Sequence, residues 1–158
     1  MTTELPSELA AELAVRRATT ADVDALAPLF DRYRQFYMQP ADLERAAQFV
    51  AQRLHNGESV VFLALAGPVA VGFCQLYPTF CSVTAAPILV LYDLFVAPGG
   101  RQSGVGRALM RAAQDYALGV GAARMDLSTA KTNLAAQALY ESEGWQRDQE
   151  FFTYSRSL

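Results

Sequence analysis

The stretch VLYDLFVAPGGRQSGVGRALM, Val90 to Met110, decides the fold and the kind of site in this chain. It opens as a β-rich apolar run, is broken by Pro-Gly-Gly, and continues with the apolar spacing of a helix. The first N–H groups of a helix have no partner within it, and the positive end of the helix dipole lies there. Gly104 and Gly106 let phosphate oxygens approach this backbone, while Arg101 and Arg107 add positive charge from the flanks. The stretch therefore predicts a buried strand that leads into a phosphate-binding helix start.

Two common phosphate-binding motifs do not fit this stretch. A Walker loop ends in Gly-Lys-Ser/Thr, whereas here Val105 and Gly106 follow Gly104. The dinucleotide-binding pattern Gly-x-Gly-x-x-Gly needs a small residue at its last position, where this chain has Leu109. What remains is Arg-x-x-Gly-x-Gly directly after a strand.

Outward from this stretch, hydrophobic periodicity and turn residues predict one mixed α/β domain. Thr19 or Thr20 is predicted to cap the first helix, because a Thr side chain can accept a hydrogen bond from the helix start. Residues 1–11 are predicted to be a loose leader and residues 12–158 the single domain. The predicted elements are, in order, a strand over Leu13–Ala18, a helix after Thr20, a helix from Pro40 to about Leu54, strands over Ser59–Ala66 and Ala70–Tyr77, a loop over Pro78–Ala86, a strand over Ile88–Val96, a helix over Ser103–Leu118, a strand over Arg124–Ser128, a helix over Thr132–Glu143 and a terminal hairpin over Trp145–Tyr154.

Composition narrows the function classes. The chain has 158 residues, a formal net charge of -3 and no run of Lys or Arg, which argues against a nucleic-acid partner. Its cysteines, Cys74 and Cys81, form no CxxC or Cys/His pattern, so no metal site is expected. They are expected to be reduced thiols of a cytosolic protein, with a disulfide between them left open. No apolar run reaches membrane-spanning length and the N-terminus does not look like a signal peptide, so a cytoplasmic location without a membrane partner is predicted.

Two motifs together resemble the GNAT superfamily of N-acetyltransferases. The first, Arg/Gln-x-x-Gly-x-Gly/Ala in that family, is matched by Arg101, Gly104 and Gly106. The second, Asn-x-x-Ala-x-x-Phe/Leu-Tyr-x-x-x-Gly-Phe, is matched from Asn133 to Trp145. The resemblance covers almost the whole chain. It implies a mixed, mostly antiparallel central sheet flanked by helices, with acetyl-coenzyme A (acetyl-CoA) as cosubstrate and no metal.

The resemblance also implies which residues hold the cosubstrate. Backbone amides of the first motif would hold the pyrophosphate, and the strand before it would receive the pantetheine arm. The Val96 N–H would polarise the thioester carbonyl, and Asn133 would orient the pantetheine or the helix start. Tyr140 would be the general acid that protonates the coenzyme thiolate. The residues predicted to contact acetyl-CoA are Leu94, Phe95, Val96, Arg101, Gln102, Ser103, Gly104, Val105, Gly106, Arg107, Asn133 and Tyr140.

The segment before the first motif bears on the general base. Leu91 to Val96, LYDLFV, looks like the corresponding segment of polyamine and yeast histone-type acetyltransferases, which share an Asp-aliphatic-aromatic-Val ending. The polyamine enzymes carry Glu before that Asp, and here the residue is Tyr92. Asp93 is therefore a structural or catalytic candidate, and a water relay is an equal alternative. Help with the proton is needed because an amine with a pKa of about 10.4 is only about 0.1% neutral at pH 7.

The acceptor amine is predicted to meet the first two helices and the loop before the strand that begins at Ile88. Asp31, Tyr33, Tyr37 and Tyr92, with Asp42, are predicted to hold a cation by charge and by ring faces. Tyr33 and Tyr37 can instead pack the helix pair or a dimer interface, and the resemblance implies a homodimer. The predicted reaction is direct acetyl transfer to a primary amine of a small molecule, such as a polyamine or an amino-acid-like metabolite. Acetylation of protein lysine or N-terminal amines and a non-catalytic acyl-CoA-binding sensor are the alternatives.

Overall fold

A computed structural model describes residues 13–101 and 103–158. The contacts within it divide the chain into two units, residues 1–128 and residues 129–158. The predicted leader lies outside the described residues, and the single domain predicted for the rest of the chain stays a prediction.

Five strands form the sheet of the first unit: β1 (Leu13–Arg17), β2 (Val60–Ala66), β3 (Val69–Cys81), β4 (Ala86–Val96) and β5 (Met125–Asp126). Neighbours in the sheet follow the chain, in the order β1–β2–β3–β4–β5. The pairs from β1 to β4 are antiparallel, and β4 and β5 are parallel. This confirms the predicted mixed, mostly antiparallel sheet.

The α-helices of the described residues are α1 (Val23–Phe36), α2 (Leu43–His55), α3 (Val105–Gly119) and α4 (Leu134–Ser142), of which α4 lies in the second unit. None of these helices has the length and apolar character that crossing a bilayer requires. Short 3-10 turns over Thr20–Asp22 and Pro98–Gly100 precede α1 and α3.

Capping residues fix where the helices begin. Thr19 caps the turn before α1: its hydroxyl accepts a backbone N–H, and its own N–H donates to Asp22 Oδ2 at 2.7 Å. Asp42 caps α2 by accepting from the backbone of the first turn. The N-cap residue of α3 is Gly104, with a φ of 82°, and a glycine has no side chain with which to cap the helix.

The main apolar core lies on the sheet face that α1 and α2 cover. Phe30 of α1 and Val50 of α2 are buried there with Leu63 of β2, Phe73 of β3 and Phe95 of β4. Burial of this many large apolar side chains supplies the main driving force for folding of the unit. The same face carries the polar residues described below.

Helix α3 covers the opposite face of the sheet. Every second residue of a strand points to that face. A Cβ at Gly72 would lie 2.9 Å from Phe95 O and 3.2 Å from Val105 Cγ1, so glycine is what lets α3 approach β3 this closely. The thiol of Cys74 points the same way and donates to Leu109 O at 3.7 Å. Both Cys74 and Cys81 are free thiols.

The hairpin between β3 and β4 is longer than the sequence predicted. The loop expected over residues 78–86 is instead strand as far as Cys81 and again from Ala86. Pro78 fits inside β3 because the pairing of β2 ends at Leu76, so its missing N–H breaks no bond to β2. The apolar hairpin tip thus extends beyond the rest of the sheet.

The predicted terminal hairpin over Trp145–Tyr154 is wrong, because residues 145–158 form no strand. A strand needs a partner for its backbone N–H and C=O groups, and the described part of the second unit offers only α4 as regular structure. The strand expected over Arg124–Ser128 is likewise reduced to the two residues of β5.

Candidate active site

An irregularity in β4 brings two consecutive side chains to one face of the sheet. The register of β4 against β3 shifts between Leu91 and Asp93, which makes Tyr92 an extra residue without a partner in β3. Such a bulge re-aims the side chain of the extra residue. The Tyr92 ring packs edge-on against Tyr77 at 5.4 Å, and Tyr77 shares a face with Gln75, the partner of Asp93. Tyr92 and Asp93 therefore both lie towards α1 and α2.

The side chain of Asp93 is buried on this face, with 4% of the residue exposed. Gln75 Nε2 donates to Asp93 Oδ2 at 2.5 Å, and the Tyr33 hydroxyl also acts on the carboxylate. Burial raises the pKa of Asp93 because desolvation penalises the charged form, and the Gln75 hydrogen bond and the nearby Tyr33 hydroxyl oppose this rise. A carboxylate with a raised pKa binds a proton more readily, as a general base must.

Tyr33 and Tyr77 lie close enough to Asp93 to feel its charge, and Tyr92, which precedes Asp93 in β4, packs against Tyr77. We call Asp93 with Tyr33, Tyr77 and Tyr92 the Asp93 cluster. Tyr33 Oη donates to Tyr92 O at 3.3 Å. Burial and the Asp93 charge raise the pKa of Tyr33, and they raise the pKa of Tyr77 to about 12. Tyr37 packs edge-on against Tyr33 at 5.1 Å. Because Tyr92 is 65% exposed, the Asp93 cluster reaches solvent on the side of Tyr92.

Sequence reasoning missed Gln75 and Tyr77. Both follow Phe73 at alternate positions of β3, and alternation along a strand places all three on one face. That alternation is the signal that could have found them. The alternation within β3 does not predict that these residues meet Asp93, because only the pairing of β3 with β4 brings the two strands together.

The structure gives Asp31 an internal role. Its carboxylate accepts from Arg34 Nη1 at 3.0 Å, from Gln35 Nε2 at 3.1 Å and from Asp42 N at 3.0 Å. These bonds tie α1 to the start of α2, where Asp42 is itself occupied as the cap. The contacts of Asp31 and Asp42 thus do not favour the substrate-binding role predicted for them, which stays untested.

Among the described residues, the edge of β4 opposite β3 is paired only at its beginning. β5 pairs with Leu89 and Val90 and with no later residue of β4. Ala97 N donates to Val71 O at 2.8 Å on the β3 side. Because backbone groups alternate in direction along a strand, Val96 presents its N–H to the opposite side. The described sheet therefore has an open strand edge beyond Val90, to which an extended chain can bind.

The start of α3 has the shape and charge that a phosphate group needs. A Cβ built at Gly104 would meet no described atom within 4 Å, so the backbone is accessible at this position. The N-terminal N–H groups and the dipole of the fifteen-residue helix favour an anion there. Arg101 lies beside it, with Nε donating to Val96 O at 3.1 Å and the guanidinium 5.9 Å from the Phe95 ring centre. Ser103 braces the preceding turn by donating to its backbone.

Most of the other residues predicted to contact acetyl-CoA lie on β4 and in the first turn of α3. The side chains of Phe95 and Val105 are buried within the protein, so these residues would contact a ligand through their backbone. Leu94 is half-buried on β4, and Gly106 and Arg107 lie in the first turn of α3. Gln102 lies outside the described residues.

The second unit carries the second predicted motif on α4. Asn133 Oδ1 accepts from Ala136 N at 3.2 Å and so caps α4, which is the helix-start role considered for it. Tyr140 lies on α4 with its ring centre 6.3 Å from that of Trp145. Its role as the general acid stays a prediction. Within the described ranges, no group of three or more His, Cys, Asp or Glu is arranged to hold a metal ion.

Fold and site together are those of a group-transferring α/β enzyme. Residues 24–145 match the acetyltransferase (GNAT) family. The chain therefore belongs to this family and is an acetyltransferase.

Relatives of known name agree with this assignment. The chain is 46% identical over 140 residues to the uncharacterised N-acetyltransferase YhfO of Bacillus subtilis, covering 89% of this chain and 94% of YhfO. It is 28% identical over 115 residues to the aminoglycoside N(6')-acetyltransferase type 1 of Salmonella typhimurium, covering 65% of this chain and 78% of that one.

Solved structures share the fold. A crystal structure of a probable acetyltransferase has a TM-score of 0.86 at 39% identity, covering 92% of this chain and 97% of its own. An aminoglycoside N-acetyltransferase solved in complex with CoA has a TM-score of 0.76 at 21% identity, covering 92% and 95%. The predicted fold and acetyltransferase activity are thus confirmed. The nearer resemblance to polyamine and yeast histone-type enzymes is not supported.

Proposed function

We propose that this enzyme transfers the acetyl group of acetyl-CoA to a primary amine of a small cationic metabolite, such as a polyamine or an amino-acid-like amine. The observation that carries the proposal is the Asp93 cluster, a buried carboxylate beside tyrosine rings on the strand that has the open edge.

The chemistry of the Asp93 cluster suits an ammonium group. A cation is attracted both by the carboxylate and by the faces of aromatic rings. Since Asp93 is 4% exposed, an amine on a slim, flexible chain suits it better than one held close to a bulky surface. Tyr92, at 65% exposed, marks the side from which such an amine would enter. A small free amine can enter there without a protein surface docking around Tyr92, and for this reason we propose a metabolite rather than protein lysine or N-terminal amines.

The start of α3 and the open edge of β4 would hold acetyl-CoA. Backbone N–H groups after Gly104, with Arg101 beside them, suit the pyrophosphate. The open edge at Val96 suits the amide-containing pantetheine arm, and the Val96 N–H would polarise the thioester carbonyl. Bound there, acetyl-CoA supplies the carbonyl carbon that the amine attacks.

Proton transfers complete the proposed reaction. The amine forms a C–N bond to the acetyl carbon while the C–S bond breaks. Asp93 accepts the proton that the amine loses, directly or through one water, and Tyr140 gives a proton to the departing thiolate. A positioned base contributes roughly 10²–10⁴-fold to the rate, which offsets much of the scarcity of neutral amine at pH 7.

A second candidate acceptor is an aminoglycoside. The relative from Salmonella typhimurium is named for this substrate class, and its alignment covers 65% of the chain. Aminoglycosides carry primary amines on a polycationic frame, so the Asp93 cluster would receive one of these amines in the same way.

The proposal extends to the assembly and its place in the cell. We propose a cytoplasmic location and, following the family resemblance, a homodimer. Phe36 and Met38, which are exposed at the end of α1, support a protein contact there. Sedimentation at several concentrations would give the oligomeric state.

A panel of amines tests the acceptor assignment. Thiol release from acetyl-CoA is measured with polyamines, amino acids, aminoglycosides and lysine peptides. We expect release with one class of small amine and little with the peptides. Release with peptides alone would overturn the metabolite assignment. Tight CoA binding without release for any amine would favour the non-catalytic sensor.

Replacement of Tyr140 by Phe tests the general acid. If Tyr140 protonates the thiolate, Tyr140→Phe should lower kcat by about 10²-fold while the affinity for CoA, measured by calorimetry, stays unchanged. A change in affinity with an unchanged kcat would assign Tyr140 to cosubstrate binding instead.

A further inference from the structure

Three buried polar side chains on adjacent strands form a hydrogen-bonded chain that ends at Asp93. Ser59 Oγ donates to Gln75 Oε1 at 2.8 Å, and Gln75 Nε2 donates to Asp93 Oδ2 at 2.5 Å. Ser59, immediately before β2, is 4% exposed, and Gln75 in β3 is 1% exposed. This hydrogen-bonded chain of side chains thus crosses the sheet from β2 to β4 beneath α1 and α2.

The ionised Asp93 carboxylate sets the direction of this hydrogen-bonded chain, because it can only accept. A glutamine amide presents an oxygen at one side and an NH₂ at the other, and a flip that set Oε1 against the carboxylate would be repelled. Gln75 therefore turns its NH₂ to Asp93 and its Oε1 to Ser59, whose hydroxyl donates to it. Ser59 thus holds the other end of the amide that holds Asp93.

Packing alone does not account for Gln75. Its neighbours on the same face of β3 are Phe73 and Tyr77, and the core cluster that contains Phe73 is apolar. A buried amide costs free energy unless its hydrogen bonds are made, and an apolar side chain would fill the same space without that cost. Both bonds of Gln75 serve the position and orientation of Asp93.

We propose that Gln75 and Ser59 are positioning residues of the acetyl transfer: they hold Asp93 through Oδ2, so that Oδ1 is the oxygen that accepts the proton of the acceptor amine. This inference rests on the proposed function, in which Asp93 is the base. Neither Gln75 nor Ser59 needs to touch the amine.

A pH profile reports this role. The Gln75 hydrogen bond lowers the pKa of Asp93 against the rise that burial causes, so its removal must move that pKa further up. The acidic limb of the pH profile of kcat/KM, which reports the ionisation of Asp93, then moves to higher pH. The titratable groups around Asp93 and its tyrosines are Tyr33 and Tyr37 of α1, Arg53 of α2, Glu58 before β2, Cys74 and Tyr77 of β3, and Tyr92 of β4.

The experiment compares four variants of the full chain with the parent protein. Gln75→Met keeps the length of the side chain and removes the donor, and Ser59→Ala removes the bond that holds the Gln75 amide at Oε1. Asp93→Asn identifies the limb that belongs to Asp93. Cys74→Ala is the matched control, because Cys74 is the neighbouring buried residue of β3 and its thiol faces α3.

We expect Gln75→Met to move the acidic limb of kcat/KM upward by about one pH unit, the size of one hydrogen bond to a charged group. Ser59→Ala should move it in the same direction by less, and it keeps the test decisive if Gln75→Met does not fold. Cys74→Ala should lower thermal stability without moving the limb. Calorimetry should give each variant the CoA affinity of the parent.

Two results separate the failure of this inference from the failure of the proposed function. If Asp93→Asn removes the limb but Gln75→Met and Ser59→Ala leave it in place, Gln75 is structural and Asp93 remains the base. If Asp93→Asn keeps the limb of the parent, Asp93 is not the base and both assignments fall.

Discussion

Asp93→Asn is expected to lower kcat/KM for the acceptor amine by about 10²–10⁴-fold, because the amide cannot take the proton that the amine must lose. The parent enzyme should gain activity as pH rises through the raised pKa of Asp93, since only the ionised carboxylate acts as a base. The variant should lack this acidic limb. Initial rates of thiol release over a range of pH provide the measurement.

The same variant should unfold less readily than the parent at neutral pH. Because burial raises the pKa of Asp93, the folded protein holds a proton that the unfolded chain has already released. The free energy of unfolding of the parent therefore falls as pH rises from the ordinary Asp pKa through the raised one. Asn carries no charge, so the advantage of Asp93→Asn should appear above this window and vanish below it in urea denaturation.

Asp115 of α3 offers the matched control, because it is an exposed aspartate away from the Asp93 cluster. Asp115→Asn should change neither the rate nor its pH profile. If Asp93→Asn kept the full kcat/KM of the parent, the base would be a water relay that does not involve Asp93.

Gly104→Asp is expected to weaken CoA binding by about 100-fold. Asp tolerates the left-handed backbone of this position, where φ is 82°, and it is a favoured N-cap residue, so α3 should still form. Its carboxylate would occupy the open space before the helix and repel the pyrophosphate. A repulsion between unit charges of roughly 2–3 kcal/mol at close range corresponds to this loss of affinity. Isothermal calorimetry with CoA measures it directly.

Gly121→Asp is the control for the backbone. Gly121 also has a positive φ, 71°, and a Cβ there would meet nothing within 4 Å, but it follows the far end of α3. Its substitution adds the same side chain and charge without approaching the helix start. Equal losses of CoA affinity in the two variants would contradict a phosphate site at Gly104.

The junction of β4 and α3 that we propose to hold the cosubstrate is largely readable from the sequence. The elements that form it, the end of β4 and the start of α3, are contiguous in the chain, so spacing alone predicts their junction. Gly104 at the N-cap of α3 and the break at Pro98–Gly100 agree with that expectation. The properties of helix ends and of glycine depend on neighbouring residues alone, and they were sufficient to predict this junction.

The acceptor side was less accessible to sequence reasoning. Asp31 and Asp93 are both buried aspartates, and nothing in their local sequence separates the one that ties two helices together from the one beside three tyrosines. Gln75 and Tyr77 were missed because their relevance depends on strand pairing. The terminal hairpin failed for a similar reason, since β-rich residues form a strand only where a partner strand is available.

The sequence by itself determined the α/β class, the helix start that can bind a phosphate, and the strand that precedes it, because each depends on neighbours along the chain. Only the tertiary structure decided which residues surround Asp93. The bulge at Tyr92 and the register of β3 against β4 bring together side chains from α1, β3 and β4. Long-range pairing, with the burial that it creates, sets the pKa and the partners of Asp93, and no local pattern encodes that.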